Sequence, residues 1–595
     1  MKKYIIKTGL LLFVTFLFFS CNDEFLERYP LDKISGKTFW DTESDLIVYN
    51  NGLYVLTNDA TKTPILMGHA NNAKLFDPWY LDEYSDNLAC TDTRFIPYEE
   101  VRAGKYSIPS DPSVQQYGYK GWDIVRACNV GLENYSKANI DQSVIDKYAG
   151  EARLFRGLFY ADKVSKFGDV PWVEKELNID SEELYAERTP REEVMEKVLA
   201  DLTFACEKLP ANWGDGNSPG RLNRWAALQV KSRVCLFEGT WRKYHGGSNA
   251  NMWLQAAAAA AKELIENGPY HLYVTGDKTH DYNASHRAND LTGNPEVIYW
   301  KKYVLGIITS HIMTYFTSST ATGGASKSMV EDYLCTDGLP ISLSPLYQGD
   351  EVYENIFKNR DPRLRQTILH PDDQAYYFYE RSLAYSYPRI TGMTGGVKTN
   401  TGYHIIKNYE FSRYRVANGI EETPALILRL GEVMLNYAEA KAESGTITQA
   451  DLDMSINKLR DRVGMPHMNL NNIPVDPRYV NDGVSPLIVE IRRERRVELF
   501  LEGFRYDDLR RWKQGKKLEI PTLGMRWDDA NRLRFDPTGK ATVKTTTVSG
   551  VKYIDVCQGT SWANPVFDEG KHYLWPIPLS SISQNPNIGQ NPGWK

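Results

Sequence analysis

IRRERRVELFLEGFRYDDLRRW, residues 491–512, is the stretch on which the fold turns. Arg492, Arg493 and Arg496 are interleaved with Glu494 and Glu498, at spacings that set opposite charges side by side on a helix. Val497, Phe500 and Leu501 supply its apolar face, and Gly503 is the expected stop. So many arginines raise the question of phosphate binding, but the interspersed acids argue against it. The reading is structural: guanidinium groups pair along the helix, cap carbonyls where long loops cross, and fasten those loops to a helical body.

Outward from this helix, the pattern stays helical over about 114–267 and 424–515. In YAGEARLFRGLFYADKVSKFG, Ala149, Ala152, Phe155 and Phe159 recur at three and four residues and give one apolar stripe, which Gly168 ends. TPREEVMEKVLADLTFACEKLP opens with Thr189 as N-cap and Pro190 at the first helical position. RLNRWAALQVKSRVCLFEGTW and NMWLQAAAAAAKELIENG give two more helices, the alanines permitting close approach. ALILRLGEVMLNYAEAKAESG reads as one helix with Ile427, Leu430, Met434, Tyr437 and Lys441 on one face. DLDMSINKLRDRVG reads as another through Leu452, Ile456, Leu459 and Val463. No fixed period is visible, so the expected fold is mostly α, a degenerate tetratricopeptide-like helical-repeat scaffold. Between these blocks, over about 58–112, 269–423 and 520–595, Gly, Ser, Thr, Asn and Tyr dominate, with short strand-like runs such as 296–303. These segments form a loop-rich lobe, and long irregular segments in a compact protein usually carry function.

The start of the chain reads as an address. Lys2, Lys3 and Lys7 precede a short apolar run, Gly9–Phe19, and Ser20 precedes Cys21. A dozen apolar residues fall short of the roughly 20 needed to span a bilayer, so 1–20 reads as an export signal and Cys21 as a lipidation site. Loss of residues 1–20 removes three lysines and no acids, shifting the formal net charge from −6 to −9 and disfavouring nucleic acid as a partner. Cys90, Cys128, Cys206, Cys235, Cys335 and Cys557 are scattered without metal-ligand spacing, and Cys128, Cys206 and Cys235 fall in helical patterns as small buried hydrophobes. Their pairing is open at this level.

Several motifs together resemble the SusD/RagB family of outer-membrane nutrient-binding lipoproteins. Residues 491–512 look like its C-terminal signature helix, and YLWPIPLSSISQNPNIGQNPGW (573–594) like its closing segment. FRGLFYADKVSKFGDVPWVE (155–174) and LRLGEVMLNYAEA (428–440) are similar to its internal helices, and FLERYPLDKISGKTFWDTESDL to its opening pattern. The resemblance implies one SusD-like body over 21–595, a lipid anchor in the outer membrane, a glycan ligand and a SusC-like TonB-dependent transporter as partner. In similar proteins the glycan platform falls in two loops. Here these would be FDPWYLDEYSDN with TDTRF, offering Asp77, Trp79, Tyr80, Tyr84, Asp86, Asn87, Arg94 and Phe95, and SHIMTYFTSSTATGG, offering His311, Tyr315 and Phe316.

Flat aromatic faces suit sugar C–H faces, while Asn, Asp and Arg suit hydroxyls. For Trp79 and Tyr80 a core role competes with the ligand role, and YYFYE (376–380) is a weaker second surface. The chain lacks H-E-x-x-H, G-x-S-x-G and P-loop motifs. His280 and His286 match no ligand spacing and are expected in solvent. The carboxylate pairs Asp82–Glu83, Asp372–Asp373 and Asp528–Asp529 read as acidic surface rather than as a glycosidase pair. The expected function is therefore glycan capture without catalysis and without a cofactor. Peptide capture for the same kind of transporter, or a purely protein-binding scaffold, are the alternatives.

Overall fold

The computed structural model describes residues 39–57, 81–91, 96–111, 118–288, 290–309, 323–373, 387–393, 398–408 and 421–595. Among these, the helices of thirteen residues or more are α1 (Glu43–Thr57), α2 (Trp122–Asn134), α3 (Gln142–Phe167), α4 (Arg191–Lys208), α5 (Arg224–His245), α6 (Ala250–Asn267), α7 (Leu430–Glu443) and α8 (Pro486–Glu498). From α2 onward each packs on the next in the chain, and α1 rests on α2 and α3. This is the mostly α, helical-repeat scaffold that the sequence predicts.

Local chemistry explains most boundaries. The Asn223 side chain accepts from Ala226 N at 3.0 Å to start α5, and Gly246, at φ 93°, ends it. A Cβ on Gly239 of α5 would fall 2.9 Å from Leu254 Cγ of α6, so glycine there and Ala257, Ala258 and Ala261 opposite let the two helices close on each other. α3 carries no single stripe: it is buried on nearly every side, because α1, α2 and α4 surround it. α4 begins one residue later than predicted. Thr189 forms a bridge with Val170, and Asp169 takes over the capping, accepting from Arg191 N at 2.7 Å.

Two predicted helices are broken. Ala425–Arg429 is a strand, because it pairs antiparallel with Val297–Lys301, so Ile427 leaves the helical face and α7 begins at Leu430. These strands are β1 (Val297–Lys301) and β2 (Ala425–Arg429). The helix predicted over 451–464 divides at Ser455, whose hydroxyl donates back to Asp451 O. In the loop lobe, β3 (Leu523–Arg526), β4 (Thr545–Val548) and β5 (Val551–Asp555) form an antiparallel sheet in the order β3-β5-β4. One apolar core, containing residues from Trp40 to Trp594, runs through scaffold and lobe alike. The six described cysteines are buried and form no disulfide with one another. The closing segment straps α3: Trp575 N donates to Lys166 O at 2.7 Å, and the Asn591 amide donates to Phe167 O at 3.0 Å.

The charges of α8 do not pair along the helix as predicted, apart from Arg493 with Glu490. They reach outward instead. Arg492 meets Glu443 of α7 at 3.0 Å, and Arg495 meets Asp508 at 2.8 Å. Arg493 and Arg496 grip Asp332 of the loop lobe at 3.0 and 2.6 Å. Glu494 receives Arg363 and Arg460, and Glu498 receives Arg363, Arg429 and Arg462. All are buried. The helix itself stops at Glu498, five residues before Gly503, and Leu501 turns through a left-handed φ of 65°.

Candidate ligand-binding site

The site predicted from the sequence is built on segment ends that the structure brings together. Leu88 and Ala89 pair antiparallel with Ala325 and Gly324. That register sets the chain leaving Ala89 beside the chain arriving at Gly324. Gly323 lies so close that a Cβ would sit 3.0 Å from Ala89 O and 3.3 Å from Cys90 Cβ. The ladder continues into the lobe, since Ala325 N donates to Tyr403 O at 3.1 Å and Met525 N to Thr401 O at 2.8 Å. The described ends of the two predicted platform loops are thus neighbours on one short ladder.

Within this arrangement Tyr84, Asp86 and Asn87 turn inward, which corrects their expected ligand role. Tyr84 packs against Tyr98, Tyr506 and Trp575 at ring separations of 4.8, 5.4 and 5.7 Å. Asp86 receives Arg505 through two bonds of 2.7 and 2.8 Å. Burial alone would raise its carboxyl, but Arg496 and Arg505 hold it well below the usual carboxylate range. Asn87 Oδ1 accepts from Arg496 Nε at 2.8 Å, and Asn87 O accepts from Ser326 N at 2.8 Å. These residues weld the ladder to α8. Asp77, Trp79, Tyr80, Arg94, Phe95, His311, Tyr315 and Phe316, like Cys21 and residues 376–380, lie outside the described residues.

Two further expectations are corrected beside the ladder. Asp82 and Glu83 are fully buried rather than surface acids. Asp82 Oδ2 accepts from Leu501 N at 2.6 Å, yet burial pushes its carboxyl up to about 7. Glu83 is raised well above the usual range by burial and by the adjacent Glu99. Of the other pairs, Asp372 is exposed while Asp373 meets Arg365 at 2.9 Å, and Asp528 caps the short helix Asp529–Phe535. His280 is exposed as predicted, but His286 is buried, 3.5 Å from Glu502.

A cavity of about 190 Å³ lies beside the segment ends Leu81 and Asn408, walled by Leu158, Phe237, Phe504 and His286. It is smaller than the roughly 300–1,000 Å³ of typical ligand sites. Among the described residues no cluster of three or more His, Cys, Asp or Glu is placed to hold a metal ion. The arrangement fixes the described ends of the loops.

Comparison with known proteins agrees with this architecture. Residues 275–594 match the model of the SusD family, and residues 79–236 match a family described as starch-binding associating with outer membrane. SusD-like protein P2 of Formosa agariphila is 24% identical over the whole of both chains, and a SusD-like protein of Bacteroides ovatus is 23% identical over 99% of this chain and 98% of its own. Among solved structures, a SusD-like protein of Bacteroides fragilis superposes with a TM-score of 0.67 at 24% identity, covering 95% of this chain and 100% of its own. A SusD-like carbohydrate-binding protein of the same species gives 0.67 at 22% identity, covering 93% and 100%. With more than half of its length matched by the family model and α8 as the hub of its fold, the chain belongs to the SusD family.

Proposed function

We propose that this protein captures an oligosaccharide outside the cell, using the loops that leave the 88–89/324–325 ladder, and passes it to a TonB-dependent barrel transporter. Acyl chains on Cys21 hold it at the outer membrane, where each buried CH2 contributes about 0.8 kcal/mol. The protein is a binder and catalyses no step. One observation carries this reading: two chain segments distant in sequence are paired side by side and bonded to Arg496 of α8 and to Arg505 just beyond it. A rigid base with adjacent loop ends is what a preorganised binding surface requires. Carbohydrate binding by a structural neighbour and the starch-binding description of a matched family support glycan as the ligand class.

Calorimetry and affinity gels with glycan and peptide panels test it. Glycan should bind, and Phe95→Ala, Trp79→Ala or Tyr315→Ala should each weaken it by about tenfold or more. Binding of peptides alone would replace the glycan reading with peptide capture. Absence of any small ligand would leave a protein-binding scaffold. Mild detergent extraction should bring down a large barrel protein with the chain, and palmitate label should appear at Cys21.

A further inference from the structure

A second groove, sharing no residue with the ladder, lies where the loop between α4 and α5 crosses β1. Its volume is about 980 Å³, at the upper end of the roughly 300–1,000 Å³ typical of ligand sites. Rings from four elements line it: Tyr54 of α1, Tyr148 of α3, Trp213 of the loop and Tyr299 of β1.

The rings are fixed in advance. The Arg221 guanidinium sits 5.4, 5.7 and 5.3 Å from the ring centres of Tyr54, Tyr148 and Trp213. Two bonds of 2.9 and 2.6 Å to the buried Glu151 carboxylate and one of 2.7 Å to Asn51 hold it there. Trp213 Nε1 donates to Leu222 O at 2.9 Å, which pins the indole edge, and Tyr148 OH donates to Glu43 at 2.8 Å. Arg221 is thus spent on holding the box, and Trp213 remains half-buried, part of its apolar surface accessible. Such flat, immobilised faces stack on sugar rings at little entropic expense.

The rim has a charge bias. Lys147, Lys301 and Lys302 border the groove on a chain whose net charge is −6. Two acids share the rim and are outnumbered by the lysines: Glu43 accepts from Tyr148 OH, and Asp215 from Asn217 N of its own turn at 3.1 Å. Lys302 reaches Asp290 at 3.5 Å, with both side chains about half exposed. Burial lowers the Lys301 ammonium to about 8, so a nearby anion would favour its charged form. An adjoining cleft of about 190 Å³ continues past Trp213 and Tyr299 to Asn294, giving the groove the length to take a chain.

We propose that this groove is a second saccharide site, selective for oligosaccharides that carry carboxylate or sulfate ester groups. The proposal rests on the glycan-capture reading and names the ligand class. Calorimetry on the full chain with a neutral, a uronate-containing and a sulfated hexasaccharide tests it, with thermal melts checking each variant. An acidic probe should bind better than the neutral one, and the stronger of the two acidic arms identifies the anion. Trp213→Ala should weaken that binding by at least about tenfold. Lys301→Gln with Lys302→Gln should weaken it roughly two- to fivefold and flatten its salt dependence, while Lys262→Gln, on the exposed face of α6, leaves it intact. If Trp213→Ala fails to fold, the lysine pair decides alone. Acidic binding that ignores the groove variants but disappears with Phe95→Ala would overturn the groove and leave glycan capture standing. Equal binding of neutral and acidic probes would overturn the anionic selectivity. No binding of any probe would sink the capture reading, and the groove with it.

Discussion

Glu498 and Asp82 are both fully buried carboxylates on the seam between scaffold and loop lobe, yet their surroundings are opposite. Glu498 lies among three guanidinium groups, which hold it well below the usual carboxylate range against the effect of burial. Asp82, reached through Leu501 just beyond α8, accepts one backbone N–H and a long contact from Asn87, and burial wins. Its neighbour Glu83 faces another carboxylate, Glu99. The two regions show that burial of an acid fixes nothing by itself; the sign of the effect follows from how many cations were buried with it. The hub locks the lobe to the helices, whereas in the turn at Asp82 and Glu83 burial drives the carboxyls toward their neutral form.

The largest expected effect breaks the hub. Glu498→Ala removes the carboxylate that Arg363, Arg429 and Arg462 share, leaving these buried guanidinium groups to Asp361, Glu494, Glu296 and Glu502, and should cost about 3–5 kcal/mol in urea unfolding. Leu202→Ala is the matched apolar test. Leu202 packs against Gly157 where α3 meets α4 and is fully buried. Its loss should cost about 2–5 kcal/mol. Hydrogen exchange sharpens the contrast. Glu498→Ala should raise exchange at 82–91 and 323–326 as well as in α8, while Leu202→Ala should act on α3 and α4.

A pH series separates the two regions by sign. Glu498, Glu502 and Asp332 have depressed carboxyls, and Glu439 sits near about 2. The unfolded chain therefore binds protons first, and hub stability, complete above about pH 4–5, is lost as pH falls further. Asp82 is raised to about 7. Between roughly pH 4 and 7 the folded form holds a proton that the unfolded form lacks, so this contribution increases as pH falls from 7. Its limit is about 1.4 kcal/mol per pH unit per group. Burial depresses the imidazoles of His245, His286, His370 and His572, whose contribution to stability is lost below about pH 6.5, so the test is a difference. The unfolding midpoint of the parent relative to Asp82→Asn should rise from pH 7.5 to about 5, while both chains show the acid drop of the hub.

Much of the scaffold was legible because its signals are local. Gly168 and the alanines of α6 carry their meaning within a few residues. What the sequence concealed depends on partners far along the chain. Ala425–Arg429 looks helical until β1 claims it as a strand. The 491–498 stretch contains four arginines and two glutamates, an excess that already required distant acids, though not which ones. Asp86 and Asn87 resembled ligand groups because an exposed turn and a buried one share the same residue types; Arg496 and Arg505, some 400 residues on, decide between them. The inward turn of Tyr84 has the same origin, since Tyr506 and Trp575 are invisible from its own neighbourhood. The Trp213 groove is concealed for the same reason, its rings coming from four separate elements.

The smallest effect sharpens the comparison most, because it changes only the environment. Lys262 and Glu266 form an i,i+4 pair at 3.6 Å on α6, with both side chains about half exposed. Water and salt screen them, and lysine preceding glutamate is the less favourable order on a helix. Glu266 also stands in the last turn of α6, where the helix dipole disfavours an anion. Glu266→Gln should therefore change stability by less than about 0.5 kcal/mol, in either direction, in the same unfolding experiment that reads Glu498→Ala. The same side chain thus has about a tenfold different energetic weight at two places in one fold. A shift above about 1 kcal/mol at Glu266 would mean that charge pairing stabilises this chain wherever it occurs, and α8 would lose its special standing as the clasp between helices and loops.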